Sequence, residues 1–180
     1  MKLIPEFKKI FLFIFIFTIY FQSIAQQQNS TWSSYKDEQG KFEILTPFTP
    51  TVKTFNVNSE YGIIESNALT MFSESNKNQY LFGYADYPLK ESESIDDFFN
   101  SRIIGSVDNV HGKLLNEEII KYKNNPGRKI RVVWKNGELV NNVIFYLINK
   151  RLYYLQVTTS INNDFNNDIY KFLNSFKYIE

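Results

Sequence analysis

Between Arg128 and Val157 the chain runs through three strand-like segments joined by tight turns, and neither face of those segments is polar. A sheet with two apolar faces needs a cover on each, and no other feature of the chain narrows its fold as far. Arg128 to Lys135 and Glu138 to Ile148 flank Asn136-Gly137. That pair suits a type I′ hairpin turn, whose two central residues both take positive φ. The turn sets a register in which Lys135 faces Glu138, Trp134 faces Leu139 and Ile130 faces Val143. A second turn at Asn149-Lys150 pairs Leu147 with Leu152, Tyr146 with Tyr153 and Phe145 with Tyr154. Ile130, Trp134, Leu139, Val143, Phe145, Leu147, Leu152 and Tyr154 then share one face. Val133, Val140, Ile144, Tyr146, Ile148, Tyr153, Leu155 and Val157 share the other.

Two segments have the periodicity to act as covers. From Ser94 to Val110 the apolar residues Ile95, Phe98, Phe99, Ile103, Ile104, Val107 and Val110 recur at helical spacing. Ser94 caps this helix, Asp96 and Asp97 suit the positive end of its dipole, and His111-Gly112 ends it. After Asn162-Asn163-Asp164, Phe165, Ile169, Phe172, Leu173 and Phe176 predict a second helix. The remaining strands are read at 41–46, 51–57, 62–72, 80–87 and 114–123, bounded by Gly, Pro and Asn-rich turns. The expected class is α+β: a three-layer α/β/α sandwich with a central antiparallel sheet.

The first residues have a different design. Lys2, Lys8 and Lys9 form a basic head, Ile10 to Phe21 carries no charge and is nearly all apolar, and Ser23-Ile24-Ala25 supplies small residues. This order is that of a secretory signal peptide, and the apolar run falls short of the roughly 20 residues that span a bilayer. The expected organisation is a signal peptide at 1–25, a polar lead-in at 26–31 and one domain at 32–180. Removing 1–25 from the 180 residues leaves 155, which suits one domain. The leader holds three of the 20 Lys+Arg and one of the 19 Asp+Glu, so 17 basic and 18 acidic residues remain. That near-neutral balance gives no electrostatic reason to expect nucleic acid as a partner. No cysteine occurs, which excludes disulfides, Cys-ligated zinc and a lipid-anchored cysteine. After cleavage no stable membrane anchor remains, and the expected location is the periplasm or the medium.

Several short motifs then carry a resemblance. They are Trp32…Tyr35…Gly40-Lys41-Phe42, Tyr84-Ala85-Asp86-Tyr87-Pro88 before the helix, and Pro126-Gly127-Arg128 opening a strand. Asn149-Lys150-Arg151-Leu152-Tyr153-Tyr154-Leu155-Gln156-Val157 and Phe172-Leu173-Asn174-Ser175-Phe176-Lys177 complete the set. Together they resemble exported bacterial proteins of the PsbP-like superfamily, named after an extrinsic subunit of photosystem II. The resemblance covers about residues 32–178. It implies an α/β/α sandwich and a non-enzymatic accessory or binding role, and it carries over no catalytic residue.

The residues themselves offer little chemistry. His111 is the only histidine and reads as part of a helix end. Glu117 and Glu118 are adjacent on a predicted strand, so they point to opposite faces. The glycines form no phosphate loop, no Gly-x-Ser-x-Gly elbow occurs, and no metal or cofactor is expected. Tyr84, Asp86, Tyr87 and Arg128 put aromatic surface beside opposite charges at chain bends and are the candidate ligand-binding residues; Trp134 is a further stacking candidate. The expected function is an exported non-catalytic binding or accessory module of the cell envelope, its partner an envelope protein or a small ligand. The alternative is a small exported hydrolase using scattered carboxylates and tyrosines. N-terminal sequencing of the exported protein should begin at Gln26, give or take a few residues; full-length precursor in the membrane fraction would contradict the cleavage.

Overall fold

The computed structural model describes residues 32–180, so the leader and the lead-in at 26–31 lie outside the described residues. Ten strands and two α-helices follow in chain order: β1 (Ser33–Asp37), β2 (Phe42–Thr46), β3 (Thr51–Ser59), β4 (Gly62–Phe72), β5 (Gln79–Asp86), α1 (Ile95–Asp108), β6 (Lys113–Tyr122), β7 (Asn125–Trp134), β8 (Leu139–Ile148), β9 (Arg151–Ser160), α2 (Asn167–Leu173) and β10 (Lys177–Tyr178). The class is α+β and the pairing is antiparallel throughout. Seven strands form the main sheet in the order β3-β4-β5-β9-β8-β7-β6, and β1-β2-β10 form a small second sheet. Among the described residues no helix is long and apolar enough to cross a membrane.

Both hairpin registers read from the sequence hold. Ile130 pairs with Val143, Trp134 with Leu139, Phe145 with Tyr154 and Tyr146 with Tyr153. Asn136 (φ 56, ψ 28) and Gly137 (φ 92) take the positive φ that a type I′ turn requires. Lys135 joins them at φ 51, so the ladder stops at Trp134 and Leu139, and the Glu138 amide donates to the Lys135 carbonyl at 3.2 Å. Asn149 and Lys150 also take positive φ, and pairing resumes at Ile148 and Arg151.

The two faces become two cores. Ile130, Val132, Val143, Phe145, Leu147 and Leu152 pack with Phe98, Phe99 and Ile103 of α1. Ile144, Ile148, Tyr153, Leu155 and Val157 pack with Phe42 and Ile44 of β2 and with Ile169, Phe172 and Leu173 of α2. The second cover therefore differs from the expected helix. α2 has only seven residues, and β2 shares the face with it. Phe165 lies before the helix, is 60% exposed and takes φ 70. Phe176 lies after it and is buried. Strands β1 and β10 carried no readable alternation, because each is short and half exposed.

Helix α1 starts where expected, with the Ser94 hydroxyl accepting from the Asp97 amide at 3.2 Å. Its stripe is shifted, however. Ile104 faces solvent, while Arg102 is 1% exposed. The Arg102 guanidinium sits 4.6 Å from both the Tyr87 and Phe98 ring centres, an arrangement that lets aromatic faces accept a desolvated cation.

Phe145 is 1% exposed on a strand covered on both sides. Phe145→Ala should cost about 3–5 kcal/mol in denaturant unfolding, the usual cost of emptying a buried aromatic site. A loss below about 1 kcal/mol would contradict a covered face.

Candidate functional site

Strand β5 ends at Asp86 and β9 begins at Arg151, and the two residues stand directly opposite each other. Tyr84 and Tyr153 form the next pair but one along the same ladder, so all four side chains share one face at the end of two middle strands, where the sheet and the β1–β2 turn form a corner. The β1–β2 turn closes over this corner. Gly40 presents its carbonyl to the Tyr153 hydroxyl, which donates at 2.9 Å. A Cβ on Gly40 would lie 2.5 Å from the Phe42 ring and 2.8 Å from the Tyr84 ring, so only glycine allows this approach.

Arg151 organises the corner. Its Nε and Nη2 donate to the two carboxylate oxygens of Asp86, each at 2.7 Å, as a planar fork matches a carboxylate. Its Nη1 donates to the Gln39 carbonyl at 3.0 Å, and its guanidinium lies 4.9 Å from the centre of the Tyr84 ring. A surface pocket of about 210 Å³ opens beside this pair, lined also by Ile63, Glu65 and Asn67 of β4.

The electrostatics follow from the pairing. Arg151 holds the Asp86 carboxyl below the usual carboxylate range, chiefly through their hydrogen bonds. Asp86 in turn raises the pKa of Arg151. Burial raises the Tyr84 phenol, and the Asp37 carboxylate adds to it. Burial pushes Tyr153 up to about 12. Asp86 and Arg151 are thus a fixed ion pair beside phenols that stay neutral at neutral pH.

The other candidates lie elsewhere. Tyr87 is buried on the opposite face among Tyr61, Phe98 and Arg102. Arg128 is buried on β7, paired with Asp96 of α1 and 3.3 Å from Glu117, with its guanidinium 4.9 Å from the Phe99 ring centre. It ties the first turn of α1 to the sheet. Trp134 donates to the Asn141 side chain at 3.1 Å, away from the pocket. The structure therefore brings Tyr84 and Asp86 together and separates them from Tyr87 and Arg128. Arg151, which sequence reasoning did not select, completes the site. Its partner Asp86 is 65 positions away, and no local pattern announces that pairing. Among the described residues no three His, Asp or Glu side chains are grouped to hold a metal ion.

The fold is similar to the solution structure of cyanobacterial PsbP from Synechocystis sp. PCC 6803, with a TM-score of 0.59 and 12% identity over 87% of this chain and 98% of that one. It also shares a weaker likeness, TM-score 0.43 and 11% identity over 73% of this chain and 85% of that one, with a protein of unknown function from Pseudomonas aeruginosa. No protein-family model matches the sequence, and no curated protein matches it. At such identity the likeness is one of fold, and the fold is PsbP-like.

Because the folded pKa of Asp86 is depressed, the pair stabilises the fold above the unfolded carboxylate value of about 3.9 and loses that contribution as pH falls through the folded value. Asp86→Asn should therefore be less stable than the parent at pH 7, by about 1 kcal/mol or less for so exposed a pair. The gap should shrink in urea unfolding at strongly acid pH; a gap that widens there would reverse the assignment.

Proposed function

We infer that this chain is an exported, non-catalytic binding or accessory module of the cell envelope, built as a PsbP-like three-layer sandwich with α1 as one outer layer and α2 with the small sheet as the other. The observation that carries this reading is the closed pairing of Asp86 with Arg151 at the pocket. General acid–base catalysis needs a group whose pKa lies near the working pH. Here the Asp86 carboxyl is pushed down and the Arg151 guanidinium and Tyr84 phenol are pushed up, each away from neutrality. Such a pair orients a ligand by fixed charges and hydrogen bonds.

The partner that fits is a polar peptide segment or small ligand offering both a donor and an acceptor. The guanidinium keeps unused N–H groups, the carboxylate keeps lone pairs, and the Tyr84 ring and Ile63 provide apolar surface beside them. Export is supported by the order of basic, apolar and small residues in the leader.

The test compares Arg151→Ala with Arg128→Ala in the processed chain. Arg151→Ala should lower partner recovery from the envelope fraction at least tenfold while the melting temperature falls by only a few degrees. Arg128→Ala should destabilise the fold without a specific loss of recovery. Turnover of a glycan, peptide or ester substrate that Asp86→Asn abolishes would replace the binding reading with an enzymatic one.

A further inference from the structure

Strand β6 is the last of the seven, so its outer backbone edge has no neighbour among the described strands. It is ten residues long, whereas edges that stay solitary are usually short, bulged or covered. One bulge does occur, between Leu114 and Asn116, and it leaves seven regular residues, Asn116 to Tyr122. In the middle of that stretch Ile119 is 76% exposed, and it lies on the α1 side of the sheet opposite Arg128. Glu117 and Lys121 flank it on the same face.

We propose that β6 pairs antiparallel with β6 of a second copy about a two-fold axis through Ile119, joining two seven-stranded sheets into one. An axis normal to the sheet keeps each face on its own side, so the residues it brings opposite one another must have an even sum of positions. Few registers satisfy this. An axis at Glu117 sets that carboxylate against its own copy, and an axis at Glu118 does the same there. An axis at Ile120 sets Ile119 against Lys121 and leaves Glu117 facing Lys123, which lies in the turn beyond the strand at φ 53. The axis at Ile119 alone stacks the exposed isoleucine on its copy and sets Glu117 against Lys121 twice, once on each side. Cross-strand apolar pairs and opposite charges are the two contacts that stabilise such a ladder, and like charges directly opposite oppose it.

The residues are available for this role. Lys121 has no partner among the described residues. Glu117 lies 3.3 Å from Arg128 at about a third exposure, so its outer oxygen can take a second cation. Helix α1 packs over β7, which puts the two copies of α1 about three strand spacings, ~14 Å, apart, enough for two helices side by side. Registers centred on Glu117 or Glu118 set a carboxylate against its own copy, and the one centred on Ile120 sets Lys121 against Ile119, so the edge is selective and still guarded against unrelated strands.

The test is sedimentation equilibrium of the processed chain, made from its full-length gene, over about a hundredfold range of concentration. The mass should rise from that of one chain toward that of two. Lys121→Glu sets Glu against Glu at both positions, and Glu117→Lys sets Lys against Lys; each should weaken self-association at least tenfold. Mixing the two variants restores both charge pairs and should recover the dimer, as should the double variant E117K/K121E. Ile119→Arg, at a site too exposed to matter to the core, should abolish the dimer with an unchanged melting temperature. A chain that stays monomeric throughout, as it would if the edge served a foreign strand, overturns the proposal. So does a dimer indifferent to Ile119→Arg, or a mixture that fails to recover although both variants melt like the parent.

Discussion

Strands β8 and β9 bury side chains on both faces, and neither face can remain in water. Burying a large apolar side chain is worth about 1.5–3 kcal/mol, so each face contributes only once something roofs it. The rest of the fold follows from that demand. The loop after β5 leads into α1, which roofs one face with Phe98, Phe99 and Ile103. The other face is wider than a seven-residue helix, so β2 and α2 divide it between them. Strands β3 and β6 are the two edges of the sheet, and most of their residues are accordingly exposed or half-exposed.

The roofs are fastened by arginines. The chain has four, Arg102, Arg128, Arg131 and Arg151, and each lies against an aromatic ring and beside a carboxylate. Arg102 joins α1 to Glu60 in the β3–β4 turn, and Arg128 joins β7 to Asp96 of α1. Arg131 joins β7 to Asp164, whose other oxygen accepts from Asn142 at 2.8 Å. Arg151 joins β9 to Asp86 at the pocket. A planar guanidinium can stack and fork at once, which an ammonium cannot, and this explains why none of the four positions carries a lysine. Truncating a buried member leaves its partner charge unpaired, so Arg102 and Arg128 belong to the structure, whereas the exposed Asp86 leaves Arg151 a face for other partners.

What could be read from the sequence was what depends on neighbours in the chain. The β7–β8 and β8–β9 registers follow from two turns with positive φ, and both were legible to the residue. The N-cap of α1 was legible for the same reason. The α1 stripe was misread at two points: Ile95 and Ile104 are exposed, while Arg102, held between two aromatic rings, packs like an apolar residue that periodicity does not count. The small sheet was illegible: β1 and β10 are short, and their partners are set by the main core. The site was half legible. Tyr84 and Asp86 lie on one strand, but the residue that makes them a site arrives from β9.

The pairing of β10 with β2 has a consequence in time. Lys177 meets Glu43, 134 positions earlier, and the Ile179 amide donates to the Lys41 carbonyl at 3.1 Å. At roughly 5–20 residues per second, the ribosome takes on the order of ten seconds or more to make what separates them. For most of that interval Phe42 and Ile44 have neither β9 nor α2 to pack on. The amino-terminal segment whose turn meets Arg151 and Tyr153 therefore completes its packing only after its carboxy-terminal counterpart has been made.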